Sequence, residues 1–400
     1  MKRGIFAFVV AALMGACGTP AAPPTPVGTA QPSTWLATAP SPTTQPTSTP
    51  QVTTAPTGPP TTSGNFDEAL AFLTSDTTVM SFDDWAQIKE SLGASDVRSA
   101  SPNEERQRVL VEGLVSSDDR QPSELEVVVG GYGLQSALVH ADNWNFDVLD
   151  YDWDAVLSHD GPPLFIVNLR DDLDMDPVIA HFDERGYASE EVNDATLWTH
   201  DLDPSADWLT GELAILNVGI LEDGHTLVMS SSDNAVREFL TAESSSPAAE
   251  ALAAAEALGG PSAAHLLIGA EQICDFVDPI LAASDDENIH DLVEEAGPLH
   301  AWDALGVGYS KRLDPIGRIA FSYADATSAD DDLKGRRLLA EEGPSLVRPG
   351  TLSDVQFTVD EASANDGVLE LDVTPNEGWA RNMLQAVINR DLAYAGCAGQ

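Results

Sequence analysis

Three aspartates at alternating positions, Asp172, Asp174 and Asp176, form the pattern that most clearly suggests chemistry. Alternating carboxylates can converge on Ca²⁺, and Asp183 falls at the twelfth position of a calcium-binding loop counted from Asp172. Pro177, however, occupies the sixth position, where such a loop needs glycine for its sharp turn. A helix start explains the same residues, with Asp176 as its cap and Pro177 in its first turn. We therefore assign no metal and keep the three aspartates as the metal candidate to examine.

A second alternating run, Asp150, Asp152 and Asp154, is interleaved with Tyr151 and Trp153. Alternation of this kind places the two sets of side chains on opposite sides of an extended chain. We expect the aromatic rings to be buried and the three carboxylates to face water.

Catalytic signatures are missing from the sequence. The eight histidines form neither HExxH nor another zinc-binding spacing, and no G-x-S-x-G or S-x-x-K motif occurs. A glycosidase needs two carboxyl groups, but among 65 acidic residues no particular pair stands out. We therefore predict no catalytic residue, no cofactor and a protein that is not an enzyme.

The charge of the chain excludes several classes of partner. All 65 acidic residues lie beyond residue 64, together with 17 of the 19 basic ones, so residues 65–400 carry a net charge of −48. Such a surface repels nucleic acids and anionic lipid headgroups. Hydrophobic residues make up 43% of the chain, which is enough for a folded core.

The N-terminus has the features of an export signal. Two basic residues precede an apolar run, residues 5–14, that is too short to cross a bilayer but suits a signal peptide. Residues 13–17 (Leu-Met-Gly-Ala-Cys) resemble the lipobox of bacterial lipoproteins, although Met14 stands where leucine is commoner. The resemblance implies a lipoprotein signal peptide over residues 1–17, lipidation of Cys17, and anchoring to the cell membrane on its extracytoplasmic side. An ordinary secretory signal cleaved nearby is the alternative.

Residues 18–64 are rich in proline and threonine, with 12 Pro and 14 Thr in 47 positions and no charged residue. Such a segment buries too little apolar surface to offset its loss of entropy on folding, and proline favours extended conformations. We predict a disordered linker that holds the folded part away from the membrane.

Two cysteines remain if Cys17 carries the lipid, Cys274 and Cys397. An even pair in an oxidising compartment favours a disulfide, which would fasten the C-terminus to the middle of the chain. Two separate buried thiols are the alternative.

The hydrophobic pattern divides the folded part into three regions. Residues 65–149 are predicted to be largely helical, whereas 150–270 and 271–400 alternate strands and helices. The predicted strands are 127–129, 164–169, 196–199, 213–220, 226–229, 264–268, 318–323, 355–359 and 368–373. The predicted helices are 66–73, 82–92, 103–115, 177–186, 234–241, 248–258, 271–283, 329–342 and 375–391.

Two copies of a short motif suggest an internal duplication. Trp153-Asp154-Ala155 recurs as Trp-Asp-Ala at 302–304, and each copy is followed by a turn, a strand and a helix that ends at glycine. The order of elements matches the split βαβ, ferredoxin-like arrangement. We therefore predict an α+β fold of two ferredoxin-like halves, preceded by the helical region and the linker.

The last predicted helix has the best-defined pattern. Residues 374–377 (Thr-Pro-Asn-Glu) have the spacing of a capping box, with proline at the first helical position. The apolar residues of this helix share one face, which we expect to pack on the core: Trp379, Met383, Leu384, Val387 and Ile388.

These features predict a lipid-anchored protein with a non-catalytic binding or scaffold ectodomain at the cell envelope. Its expected partners are the membrane, through the lipid, and an envelope protein or a small molecule, but not nucleic acid. The alternatives are a solute- or cation-binding lipoprotein and an extracytoplasmic hydrolase whose carboxylates act without a local motif.

Overall fold

The computed structural model describes residues 64–112, 141, 144–201, 216–242, 249–376 and 380–397. Cys17, the predicted signal peptide, nearly all of the linker and the predicted strand at 127–129 lie outside these ranges. The strands are β1 (Val79–Asp83), β2 (Tyr151–Ser158), β3 (Leu164–Leu169), β4 (Ala188–Val192), β5 (Ala195–Thr199), β6 (Asn217–Ile220), β7 (Thr226–Ser230), β8 (Ala263–Ile268), β9 (Ala304–Tyr309), β10 (Gly317–Ser322), β11 (Phe357–Asn365) and β12 (Val368–Pro375).

Helices connect and cover these strands. They are α1 (Gly64–Leu70), α2 (Trp85–Ser91), α3 (Asn103–Gln107), α4 (Asp176–Glu184), α5 (Asp233–Thr241), α6 (Ala249–Ala257), α7 (Glu271–Ala282), α8 (Glu287–Ala296), α9 (Ala326–Glu342), α10 (Leu352–Val355) and α11 (Ala380–Asn389). In the described part of the chain, none of them combines the length and the apolar character that a bilayer span requires.

The described strands form a single antiparallel sheet in the order β11-β12-β10-β9-β8-β1-β2-β3-β7-β6-β5-β4. The fold is therefore α+β, as predicted. The structure does not show two duplicated ferredoxin-like halves, because both parts of the chain contribute to one continuous sheet. One split βαβ unit is present, in which α9 joins β10 to β11 and β12 lies between these two strands.

Apolar side chains cover both faces of the sheet, because successive residues of a strand point to opposite sides. On one face, residues such as Met80, Trp153 and Leu266 pack beneath α1, α5 and α6. The opposite face carries two clusters. Residues of α2 and α4 pack in the first, and residues of α7, α8, α9 and α11 in the second.

The two Trp-Asp-Ala motifs occupy different environments. Trp153 lies within β2 and packs in the cluster beneath α1, whereas Trp302 precedes β9 and packs in the cluster beneath α7 on the opposite face. The two motifs are therefore not equivalent in the structure, and their sequence match does not identify a structural repeat.

The described part of the N-terminal region contains three helices and one strand. The helices α2 and α3 fall within the predicted segments, α1 begins two residues before its predicted start, and β1 lies between α1 and α2. It pairs with β2 on one side and with β8 on the other, and so links the two parts of the sheet.

The last helix differs from its prediction at both ends. Thr374 and Pro375 pair with β11 as the end of β12, so they do not form a capping box, and α11 begins at Ala380. Met383, Leu384 and Val387 are buried as predicted. Ile388 is 47% exposed, which contradicts its predicted place in the core, and Trp379 lies outside the described residues.

Candidate functional site

An acidic cleft lies at one end of the four central strands, β9, β8, β1 and β2. Its walls come from the loop before β1, the turn after β2, the end of β8, the start of α6 and the residue before β9. The cleft has a volume of about 490 Å³. Its lining residues are Ser75, Asp76, Thr77, Thr78, Asp160, Glu250, Ile268, Gly269 and Asp303.

The loop before β1 is held in place by its own threonines. The backbone N–H of Thr74 donates to the Thr77 hydroxyl at 3.0 Å, and the two threonine hydroxyls lie 2.8 Å apart. Thr78 donates to the Ser158 carbonyl through both its N–H and its hydroxyl. A hydrogen bond from Thr74 lowers the pKa of Asp76, and the nearby His159 acts in the same direction. This loop therefore presents an ionised carboxylate to the cleft.

Asp303 forms the facing wall and is fixed by its backbone. Its N–H donates to the Ser322 carbonyl at 2.9 Å, and its own carbonyl accepts from the Gly269 N–H at 2.7 Å. The Oδ2 atom of Asp303 is buried and has no hydrogen-bond partner. Burial raises the pKa of Asp303, and the neighbouring Glu250 carboxylate raises it further. Burial and the Glu250 charge therefore disfavour the ionised form of Asp303.

Gly269 shapes the cleft where β8 ends. Its φ of +83° lies in the left-handed region, which residues with a Cβ adopt only with strain. The space where a side chain would project is open. Replacement of this glycine would therefore strain the turn and place atoms in free space beside the cleft.

The lining of the cleft is acidic. Four of its side chains are carboxylic acids, and none is lysine or arginine. Within the described residues, no three acidic, histidine or cysteine side chains are placed to hold a metal ion. Carboxylates accept hydrogen bonds from N–H donors, and these bonds are strongest when the donor is charged.

Sequence reasoning did not find this site. Its four acidic residues lie at positions 76, 160, 250 and 303, in four separate segments, so no local spacing marks them. Two of these residues stand out in the sequence for other reasons, Asp303 in the Trp-Asp-Ala match and Asp160 in the turn that follows the first copy.

The structure does not bring the metal candidates together around a common ion. The Asp172 carboxylate pairs with Arg170 at 2.9 Å and with Arg98 at 3.5 Å, and the bond from Arg170 lowers its pKa to about 2. The Asp174 carboxylate accepts from the Asp176 N–H at 3.1 Å. Asp176 itself is the first residue of α4 and not its cap. These aspartates therefore lie at the start of a helix or form an ion pair.

The predicted disulfide is confirmed. The sulfur atoms of Cys274 and Cys397 are 1.98 Å apart, and the bond joins α7 to the segment after α11. The same segment is held by a hydrogen bond from the Cys397 N–H to Asp278.

A second acidic feature lies inside the core. Asp83 and Asp154 are directly opposed on β1 and β2, and they are 4% and 2% exposed. Next to them on β1, the Ser81 hydroxyl lies 2.8 Å from Nδ1 of His265. The expectation that Asp150 and Asp154 face water is therefore wrong, because both side chains are buried. The expected burial of Tyr151 and Trp153 is confirmed.

Comparison with known proteins gives a distant structural likeness. No protein-family model and no curated protein matches the chain. The chain is similar to crystal forms I and IV of TP0453, a Treponema pallidum protein, with 10% sequence identity in both cases. The matches cover 80% and 81% of this chain and 97% and 99% of the other, with TM-scores of 0.36 and 0.35.

Proposed function

We propose that this protein is a non-catalytic binding protein, anchored by a lipid on Cys17 at the extracytoplasmic side of the membrane, whose acidic cleft binds a small organic cation. The observation that supports this proposal most directly is the state of Asp303. Asp303 lines the cleft, and both its burial and the Glu250 charge beside it make its ionisation costly. A bound ammonium group would offset the repulsion between the two carboxylates.

A compound with several ammonium groups on a short aliphatic chain fits this lining best. The acidic side chains stand on separate segments around the cleft, so no single compact cation contacts all of them. Ile268 offers an apolar surface to methylene groups between the charges. The net charge of −46 attracts such a ligand from a distance and increases its rate of association.

We also propose that the two parts of the sheet descend from a duplication, with the cleft at their junction. The strands β1-β2-β3 and β8-β9-β10 extend in opposite directions from the β1–β8 pair, and a helix follows the third strand in each set. The cleft lies at one end of that central pair, so both parts supply carboxylates to it. This proposal of a duplication rests on the order of the strands and helices and not on the Trp-Asp-Ala match.

Calorimetric titration with spermidine tests the binding proposal. We expect spermidine to bind the wild-type protein and Asp303→Asn to weaken binding at least tenfold. The matched control is Glu361→Gln, which removes one exposed carboxylate on β11 and should leave the affinity within twofold. Equal losses of spermidine affinity in the two variants would contradict a specific cation site. So would binding of the uncharged chain molecule 1,8-octanediol as tightly as spermidine.

A further inference from the structure

Four large apolar side chains are exposed in the described part of the chain, and two of them, Phe276 and Ile280, are one turn apart on α7. A third, Ile388, lies at the end of α11, two residues before Arg390. The guanidinium carbon of Arg390 lies 5.4 Å from the centre of the Phe276 ring, so the residue that follows α11 contacts the middle of α7. We call Phe276, Ile280 and Ile388 the apolar patch.

The apolar patch stands on rigid support. The disulfide from Cys274 ties α7 to the segment that follows α11. On their inner sides both helices bury apolar residues in the same core cluster, including Val277 of α7 and Leu384 of α11. Ordering this surface for a partner therefore costs little conformational entropy.

Acidic residues surround the α7 side of the apolar patch. No lysine or arginine occurs between residues 271 and 310. Several carboxylates of α7 and the following turn are exposed, namely Glu271, Asp275, Asp285, Asp286 and Glu287. An anionic membrane surface would be repelled by this rim, and so would a second copy of this highly acidic chain. On the α11 side, Arg390 over the Phe276 ring is a basic neighbour of the patch. The complementary surface is therefore apolar at its centre and basic where it meets α7 and the following turn.

We propose that the apolar patch docks a basic segment of a partner protein that inserts apolar side chains between α7 and α11. Apolar anchors surrounded by complementary charge are the usual composition of a small docking surface. This site is separate from the acidic cleft, and its test does not depend on ligand binding there.

The probe is a fluorescent 18-residue helical peptide of leucine and lysine with one apolar face, measured by anisotropy at 0.15 M NaCl. A scrambled peptide of the same composition has no apolar face, so it reports electrostatic attraction alone. We expect the amphipathic peptide to bind at least tenfold more tightly than the scrambled one. The Ile280→Gln/Ile388→Gln variant should remove this difference in affinity between the two peptides. Both substituted positions are solvent-exposed, so the fold should be retained.

Charge variants distinguish the effect of the carboxylates beside the apolar patch from the attraction of a basic peptide to the acidic protein as a whole. Asp275→Asn should weaken binding of the amphipathic peptide about threefold. Glu361→Gln and the cleft variant Asp303→Asn should leave the affinity for this peptide unchanged. Equal affinity for the two peptides, or full binding by the double isoleucine variant, would overturn the proposal. So would a dimer in sedimentation, or flotation with anionic vesicles, if the double variant abolished it, because the patch would then serve a second copy or a lipid surface.

Discussion

At the scale of single residues, the most costly feature of the core is the pair Asp83 and Asp154. Directly opposed residues of an antiparallel pair share one face of the sheet, with Cβ atoms about 5 Å apart. Burial raises the pKa of Asp83 to about 8. Burial, with the Asp83 charge added, also raises the pKa of Asp154. In the folded protein the pair therefore holds protons that the unfolded chain releases near pH 4.

This linkage predicts a stability that falls as the pH rises. The folded pKa of Asp83 lies above its unfolded value, so its contribution is complete below about pH 4 and is lost progressively up to about pH 8. Asp83→Asn removes the Asp83 share of this dependence, and we expect its stability relative to wild type to improve by up to about 1.4 kcal/mol for each pH unit between 5 and 8. Urea denaturation of the variant and the wild type at pH 5 and at pH 8 measures this difference in stability.

The exposed Asp291→Asn variant on α8 provides the matched control for this test. It makes the same chemical change at the surface and should shift stability equally at both pH values. If Asp83→Asn also showed the same shift at pH 5 and pH 8, the buried protons would not be linked to folding.

At the scale of elements, α9 anchors the C-terminal segment through one buried arginine. The Arg336 side chain is fully buried and forms an ion pair with Asp332 one turn earlier, at 3.1 Å. Its guanidinium also donates to the Tyr323 hydroxyl and to three backbone carbonyls, those of His300, Tyr394 and Gly396. The helix, the strand region before it and the chain terminus are thus joined at one side chain.

We expect Arg336→Met to lower the free energy of unfolding by about 3–5 kcal/mol, because it removes the guanidinium from the buried Asp332 carboxylate, which keeps only His300 and Tyr323 as partners. Arg337→Met is the control on the same helix. Its exposed pair with Glu341 contributes about 0.5 kcal/mol or less. Urea denaturation of the two variants measures these losses of stability. Similar losses in both variants would show that Arg336 does not anchor the C-terminal segment.

The sequence predicted those elements whose hydrophobic pattern is simple. The bounds of β3 were predicted without error, and those of β7 to within one residue, because each is a short apolar run between turns. In β9, Gly306 and Gly308 weaken the strand pattern. A Cβ atom on Gly306 would lie 3.1 Å from Leu258 of the segment after α6, so close packing of that segment requires glycine where sequence rules disfavour it.

The strands β4 and β2 were missed for different reasons. The polar edge strand β4 buries only its last residue, and β2 alternates acids with aromatic residues, which suggested solvated carboxylates. The disulfide could be predicted from a count of cysteines. The cleft could not, because only pairing of distant strands brings its carboxylates together.

At the scale of the whole molecule, the net charge sets the response to salt. Sixty-five acidic residues against 19 basic ones repel one another in the compact state, and salt screens that repulsion over a few ångströms at molar concentration. We expect the melting temperature to rise between 0.02 M and 1 M NaCl. A melting temperature that stayed constant or fell over this range would show that repulsion between the carboxylates does not limit stability.

Hydrogen–deuterium exchange with and without spermidine tests most directly whether the acidic cleft is the binding site. The loop at 74–78 and the turn at 268–269 contribute lining residues to the cleft, so a ligand bound there should slow the exchange of their backbone amides, and Asp303→Asn should abolish the effect. Amides of the edge strand β11 should exchange at the same rate in both states. Protection spread evenly over the acidic surface, or none at 74–78, would contradict the account.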